Sequence, residues 1–148
     1  MRPRLILTAA IAALGLAVPA GAATPACDKS CLLKLADRTV AAISAKNPKS
    51  LPWAETVRFT ENGVPLDIGD GLWGSTGSTP GRKAIALADP ETGNVVWIGT
   101  LYDHDQPNFG AMRLKADGNR IAEIELVVAR KPSPTPYGDA ATLSLIHI

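Results

Sequence analysis

VRFTENGVPLDIGDGLWG, residues 57–74, is the stretch on which the fold turns. Val57, Phe59 and Glu61 alternate with Arg58 and Thr60, the period of a strand. Asn62-Gly63 then supplies the two positive-φ residues of a tight hairpin turn, and Val64-Pro65-Leu66 is the return strand. Pro65 cannot donate to a ladder, so that strand belongs at a sheet edge. The last six residues, Gly69-Asp70-Gly71-Leu72-Trp73-Gly74, spell G-x-G-x-x-G. A dinucleotide turn of that spelling follows a buried parallel strand and opens a helix whose amides face the pyrophosphate. Here Pro65 precedes it, Ser75 to Gly81 is too rich in Ser, Thr, Pro and Gly to form a helix, and Asp70 repels phosphate. Nucleotide binding is therefore excluded, and an EF-hand calcium loop fails for want of alternating oxygen ligands and a distal glutamate.

Outward from this stretch the period changes on both sides. Upstream, Cys31, Leu32, Leu35, Ala36, Val40 and Ile43 recur at threes and fours, predicting an amphipathic helix over 28–46 that Asn47-Pro48 stops. Leu51-Pro52-Trp53-Ala54 is an apolar connector. Downstream, four extended segments are expected at 82–88, 95–103, 109–116 and 120–130. Turn chemistry stands between them at 89–93, at Gln106-Pro107-Asn108 and at Asp117-Gly118. Connections this short require antiparallel neighbours. In the final segment Ala122, Ile124, Leu126 and Val128 share one face, opposite Glu123 and Glu125. The expected fold class is α+β, an N-terminal helix packed on a curved antiparallel sheet.

The ends of the chain carry other signals. Arg2 and Arg4 precede an apolar run from Leu5 to Val18 and the triplet Ala20-Gly21-Ala22, the pattern of a secretory signal peptide cleaved after Ala22. A membrane span wants about 20 apolar residues, and this run is shorter. Export to the periplasm or the extracellular space follows, with no membrane partner after cleavage. Cys27 and Cys31, the only cysteines, are then expected as a disulfide, since four residues at a helix start place α-carbons about 6 Å apart. Such a small loop contributes roughly 2 kcal/mol. Without Arg2 and Arg4 the formal charge of +1 becomes about −1, which gives no electrostatic case for nucleic acid. Residues 23–130 are expected as one domain, and Lys131-Pro132-Ser133-Pro134-Thr135-Pro136 opens a stiff linker over 131–142. The final 143–148, LSLIHI, reads like a translated sequencing adapter, which leaves His104 as the usable histidine and a further C-terminal part to be expected.

Residues 52–74, PWAETVRFTENGVPLDIGDGLWG, together with Arg113-Leu114-Lys115 and Ile121-Ala122-Glu123-Ile124-Glu125, resemble a family of secreted bacterial and fungal proteins of unassigned function. That family is related to the nuclear transport factor two-like, or SnoaL-like, superfamily. The resemblance implies a cone-like, cystatin-like roll with an apolar pocket, hosting cofactor-independent isomerases, dehydratases, cyclases and lyases as well as non-catalytic binding domains. It also implies a fuller helical layer, so a short second helix is expected at 51–56 or beyond the linker. A homodimer through the sheet face is the expected assembly.

In such a pocket the candidate catalytic residues are His104, Tyr102, Glu61 and Asp70. Histidine moves a proton near neutral pH and tyrosine donates to a developing oxyanion. Ketosteroid isomerase, with a carboxylate base and a tyrosine in its oxyanion hole, is the precedent. Strand alternation would place Tyr102 and His104 on one side and Asp103 on the other. Trp73, Arg58 and Arg113 are candidate substrate-binding residues, with Trp73 alternatively a plug and the arginines alternatively outer-face ion-pair partners. The expected ligand is a small apolar or aromatic molecule, and no cofactor or metal is called for. A binding or protein-interaction domain on the same scaffold is the alternative to an enzyme.

Overall fold

A computed structural model describes residues 26–77 and 80–130. The expected signal segment, the proline linker and the terminal LSLIHI lie outside the described residues. Helix α1, Lys29–Ser44, begins where Asp28 accepts the Cys31 amide at 2.7 Å, and Cys27 and Cys31 are joined by a disulfide with α-carbons 5.3 Å apart. It ends in a Schellman turn. Asn47 N–H returns to Ala42 C=O and Lys46 N–H to Ile43 C=O, with Lys46 left-handed at φ 51°. A 3₁₀ turn, Pro48–Ser50, leads directly into a strand, so the short helix expected at 51–56 is not formed. Trp53 and its neighbours instead extend the first strand, as an apolar and β-branched run beginning after Pro52 allows.

The strands are β1 Trp53–Glu61, β2 Val64–Pro65, β3 Arg82–Asp89, β4 Asn94–Asp103, β5 Gln106–Asp117 and β6 Arg120–Ala129. They form one curved, open sheet in the order β2-β1-β6-β5-β4-β3. The hairpin stands as read, with Asn62 at φ 50°, Gly63 at φ 79° and Pro65 in an edge strand. From β3 to β6 every neighbour is antiparallel. One pairing departs from expectation: β1 and β6 run parallel, Phe59 beside Ile124 and Glu61 beside Leu126. The short-loop argument governs only sequential strands, and about sixty residues separate these two.

Two local readings are also corrected. Gln106-Pro107-Asn108 lies inside β5, and the turn is His104-Asp105, both left-handed at φ 49° and 60° between the paired Asp103 and Gln106. Pro107 is tolerated because β6 pairs with β5 no further than Phe109. Ala122 is the extra residue of a bulge, so Ile121 is buried and Ala122 only half-buried.

The helix packs across β3 and β4 on the concave face. Leu32, Leu35, Ala36, Val40 and Ile43 meet a layer that includes Val95, Trp97, Leu101, Met112, Leu114, Ile124 and Leu126. Gly81 is required here, since a Cβ would stand 2.6 Å from Val40 Cγ1. Lys83 Nζ to Asp37 at 3.1 Å closes the rim of that contact. The convex face carries the polar phase of the strands and an apolar row in which Val127 and Leu87 are more than half exposed.

Candidate functional site

The G-x-G-x-x-G segment forms α2, Leu72–Ser75, a single helical turn the sequence reading did not expect. Its first amide has no room for a phosphate, because Leu72 N–H is bonded at 2.7 Å to Oε2 of Glu61. Gly71 makes that approach possible: a Cβ there would lie 2.5 Å from the same oxygen, and its φ is +60°. The turn is thus capped by a carboxylate of the neighbouring hairpin rather than by a ligand.

Glu61 is 7% exposed and continues the inward phase of Phe59. Its Oε1 lies 2.6 Å from Arg130 Nη2, and Arg130 Nε donates to Oδ2 of Asp103, which is 8% exposed. The three residues sit at the ends of β1, β6 and β4, so one rim of the concave face carries two buried carboxylates bridged by one guanidinium. Burial pushes the Asp103 carboxyl up, but the hydrogen bond and charge of Arg130, with Ser75 and His104 close by, outweigh it and hold the group below its ordinary range. For Arg130 burial works downward, and its bonds to Asp103 and Glu61 raise it overall. Neither Asp103 nor Arg130 was singled out by sequence reasoning. A signal existed: Asp103 is in phase with Trp97 and Leu101, and Arg130 with Ile124, Leu126 and Val128.

Beside this cluster runs an open groove of about 600 Å³, lined by Ser44 and Lys46 from the end of α1, Ser75 and Thr76 from α2, and His104 and Asp105 from the β4–β5 turn. Its two walls are stitched together. His104 N–H donates to Ser75 C=O at 2.8 Å, Thr76 Oγ1 donates to Tyr102 C=O at 2.8 Å, and Thr76 bridges to Asp103 as an isolated strand pair. The His104 side chain is 80% exposed, with Nδ1 2.7 Å from Asp103 Oδ1. Oδ1 has no well-formed hydrogen-bond partner among the described residues.

The expected site residues therefore separate. Glu61 enters the buried cluster and His104 lines the groove. Tyr102 falls on the opposite sheet face from Asp103, and Asp70 is exposed at the start of α2. Asp103, expected to face away from the site, is the member of its tetrapeptide that turns inward, while His104 lies in a left-handed turn where strand alternation no longer applies. Trp73 is 1% exposed, its ring 6.4 Å from Trp53, with Nε1 unpartnered among the described residues. Arg58 and Arg113 lie on the convex face in a ladder with Glu123 and Glu125, extended by Arg113 Nη1 to Asn94 at 2.8 Å. Bonds from Arg113 and Arg58 hold Glu125 down at about 2. Among the described residues no group of three His, Cys, Asp or Glu side chains could hold a metal ion, and no helix is long and apolar enough to cross a membrane.

No family model matches the chain, and no curated protein matches it. Similar solved structures do exist. A protein of unknown function with a cystatin-like fold from Methylobium petroleophilum is 16% identical, covering 78% of this chain and 85% of its own, at a TM-score of 0.57. A "putative ketosteroid isomerase" from Kribbella flavida is 16% identical over 72% of this chain and 84% of its own, at 0.56. An NTF2-like protein of unknown function from Cytophaga hutchinsonii is 8% identical over 66% and 89%, at 0.53. At these identities the likeness concerns the backbone alone, and it agrees with the helix-on-curved-sheet architecture above: the chain has an α+β roll of the cystatin-like, NTF2-like kind.

Proposed function

We propose that this chain is an exported small-molecule-binding domain whose ligand occupies the groove between α1, α2 and the β4–β5 turn. The observation that carries the reading is that groove itself, which has the volume of a small-molecule site and walls held by cross-bonds. Its lining offers hydroxyl, ammonium, imidazole and carboxylate groups beside Ala45, Gly74 and Gly77, so the ligand is a small molecule that carries polar groups on the apolar or aromatic frame the resemblance implies. The Cys27–Cys31 bridge supports export to the periplasm or outside the cell. One domain over 23–130, a proline linker and pairing of two copies through the convex sheet face complete the proposal.

The binding reading is preferred over proton-transfer catalysis for a physical reason. A catalytic acid or base works best when its pKa lies near the working pH in a site that excludes water. Asp103 is held ionised by Arg130, Glu61 is bonded at both oxygens, Tyr102 lies outside the groove lining, and His104 is open to solvent. An isomerase, dehydratase or lyase remains the second reading because His104 Nδ1 stands 2.7 Å from Asp103 Oδ1 on an imidazole open to the groove. A thermal-shift screen of small polar, aromatic and terpenoid compounds, followed by NMR of each stabilising compound with the protein, separates the two. Binding without conversion, weakened by Ser75→Trp in the groove, is expected. A library without a single stabilising compound refutes the binding site, and conversion that disappears in His104→Ala establishes the enzyme.

A further inference from the structure

The groove is shaped by a residue that does not line it. We infer that Arg130 is its positioning residue, fixing one wall through Glu61 and the other through Asp103. The assignment rests on the proposed groove as the ligand site, on three contacts and on one adjacency in the chain. Arg130 Nη2 meets Glu61 Oε1 at 2.6 Å, and the second oxygen of Glu61 holds the first amide of α2 at 2.7 Å. Arg130 Nε meets Asp103 Oδ2, and Asp103 immediately precedes the His104-Asp105 turn. Each carboxylate therefore has Arg130 on one side and a groove wall on the other.

The chemistry of the three groups suits this role. A guanidinium has donors in a fixed planar fork, so two carboxylates bound to it are held in a set mutual orientation, which a lysine ammonium would not impose. Both acids are more than nine-tenths buried, so neither can turn away to solvent when its partner is lost without the backbone moving with it. Movement of Glu61 is transmitted to Leu72 and then to Ser75 and Thr76. Movement of Asp103 is transmitted to His104 and Asp105. The titratable and charged groups within reach of the turn are Asp103, Asp105, Lys46 across the groove and Arg130 behind it.

The test uses the full chain and needs no ligand, so its failure is separate from failure of the binding proposal. Backbone amide NMR spectra of wild type, Arg130→Met, Arg130→Lys, Glu61→Gln and Asp103→Asn are compared. Arg130→Met is expected to shift amides in both walls, around Leu72–Thr76 and around His104–Asp105. Glu61→Gln is expected to shift chiefly the first set and Asp103→Asn chiefly the second. Arg130→Lys, which keeps the charge but not the planar fork, should shift the same two sets of amides by less than Arg130→Met does. If Arg130→Met does not fold, the two single acid variants still decide the matter through their separate amide patterns. Amide shifts confined to one wall in Arg130→Met, or in Arg130→Lys should the methionine variant not fold, would overturn the assignment.

Discussion

Replacing Arg130 by methionine removes the only cation among the described residues that is bonded to two buried carboxylates, and leaves a side chain of similar reach. Breaking a buried ion pair by deleting one partner costs about 3–5 kcal/mol. Here the guanidinium is 36% exposed, so water reaches its side of the pair, and Glu61 retains the Leu72 amide. Both features reduce the expected loss to about 2–3 kcal/mol at pH 7. For a domain near 100 residues that lowers the midpoint of thermal unfolding by about 10 °C or more. The pH dependence is the sharper part. In wild type the Asp103 pKa is depressed, so its contribution is present above the unfolded value near 3.8 and is lost as pH falls through the lower folded value. Without Arg130, burial is opposed only by Ser75 and His104, so the depression of the Asp103 pKa is relieved. The stability that wild type loses on acidification is then smaller in the variant, and its acid slope is shallower. Urea unfolding of wild type and variant at half-unit steps from pH 2 to 8 measures both slopes. Adding Glu61→Gln and Asp103→Asn to Arg130→Met should recover part of the loss and flatten the slope. A variant within about 0.5 kcal/mol of wild type at pH 7, with an equally steep acid slope, would refute the reasoning.

Three further outcomes follow from local geometry. Lys46→Gly relieves a left-handed lysine at the end of α1, against the added freedom of glycine in the unfolded chain, and should raise the urea midpoint by a net gain of about 0.5 kcal/mol. Asn62→Ala removes both the turn-adapted residue and its amide bonds to Val128, Oδ1 to the N–H at 2.9 Å and Nδ2 to the C=O at 3.2 Å. A loss of about 2 kcal/mol by urea unfolding, with m unchanged, is expected. Glu125→Gln should cost under about 1 kcal/mol at pH 7, because the convex ladder is exposed. Glu125 is depressed from 4.5 to about 2, so the difference from wild type should vanish across that window as pH falls, which acid titration followed by circular dichroism would show.

The readings that held are those decided within a few residues. The 3.6 period of Leu32 to Ile43 needs a helix wherever the segment lies, and Asn62-Gly63 closes a hairpin by its own dihedral preferences. The misplaced turn at Gln106-Pro107-Asn108 came from trusting proline over pairing. Pro107 needs only a vacant neighbour on one side, and that depends on where β6 ends. The reading of Asp103 as outward failed because alternation was carried through His104, where the strand has already turned. Extending the apolar phase of Val95, Trp97 and Leu101 to Asp103, of Ile124, Leu126 and Val128 to Arg130, and of Phe59 to Glu61 would have marked three charged residues at strand ends as inward-facing.

By itself the sequence determined the elements, the hairpin, the edge position of Pro65 and the α+β class, because periodicity, capping and turn chemistry act over short stretches of chain. Only the tertiary structure decided that β1 lies parallel to β6. That single pairing brings Glu61 beside Arg130, sixty-nine positions later, and the curvature of the sheet brings Asp103 to the same guanidinium. Each of the three has ordinary polar alternatives when read alone. Their convergence is a property of long-range pairing, whose loop closure leaves no local trace in the chain.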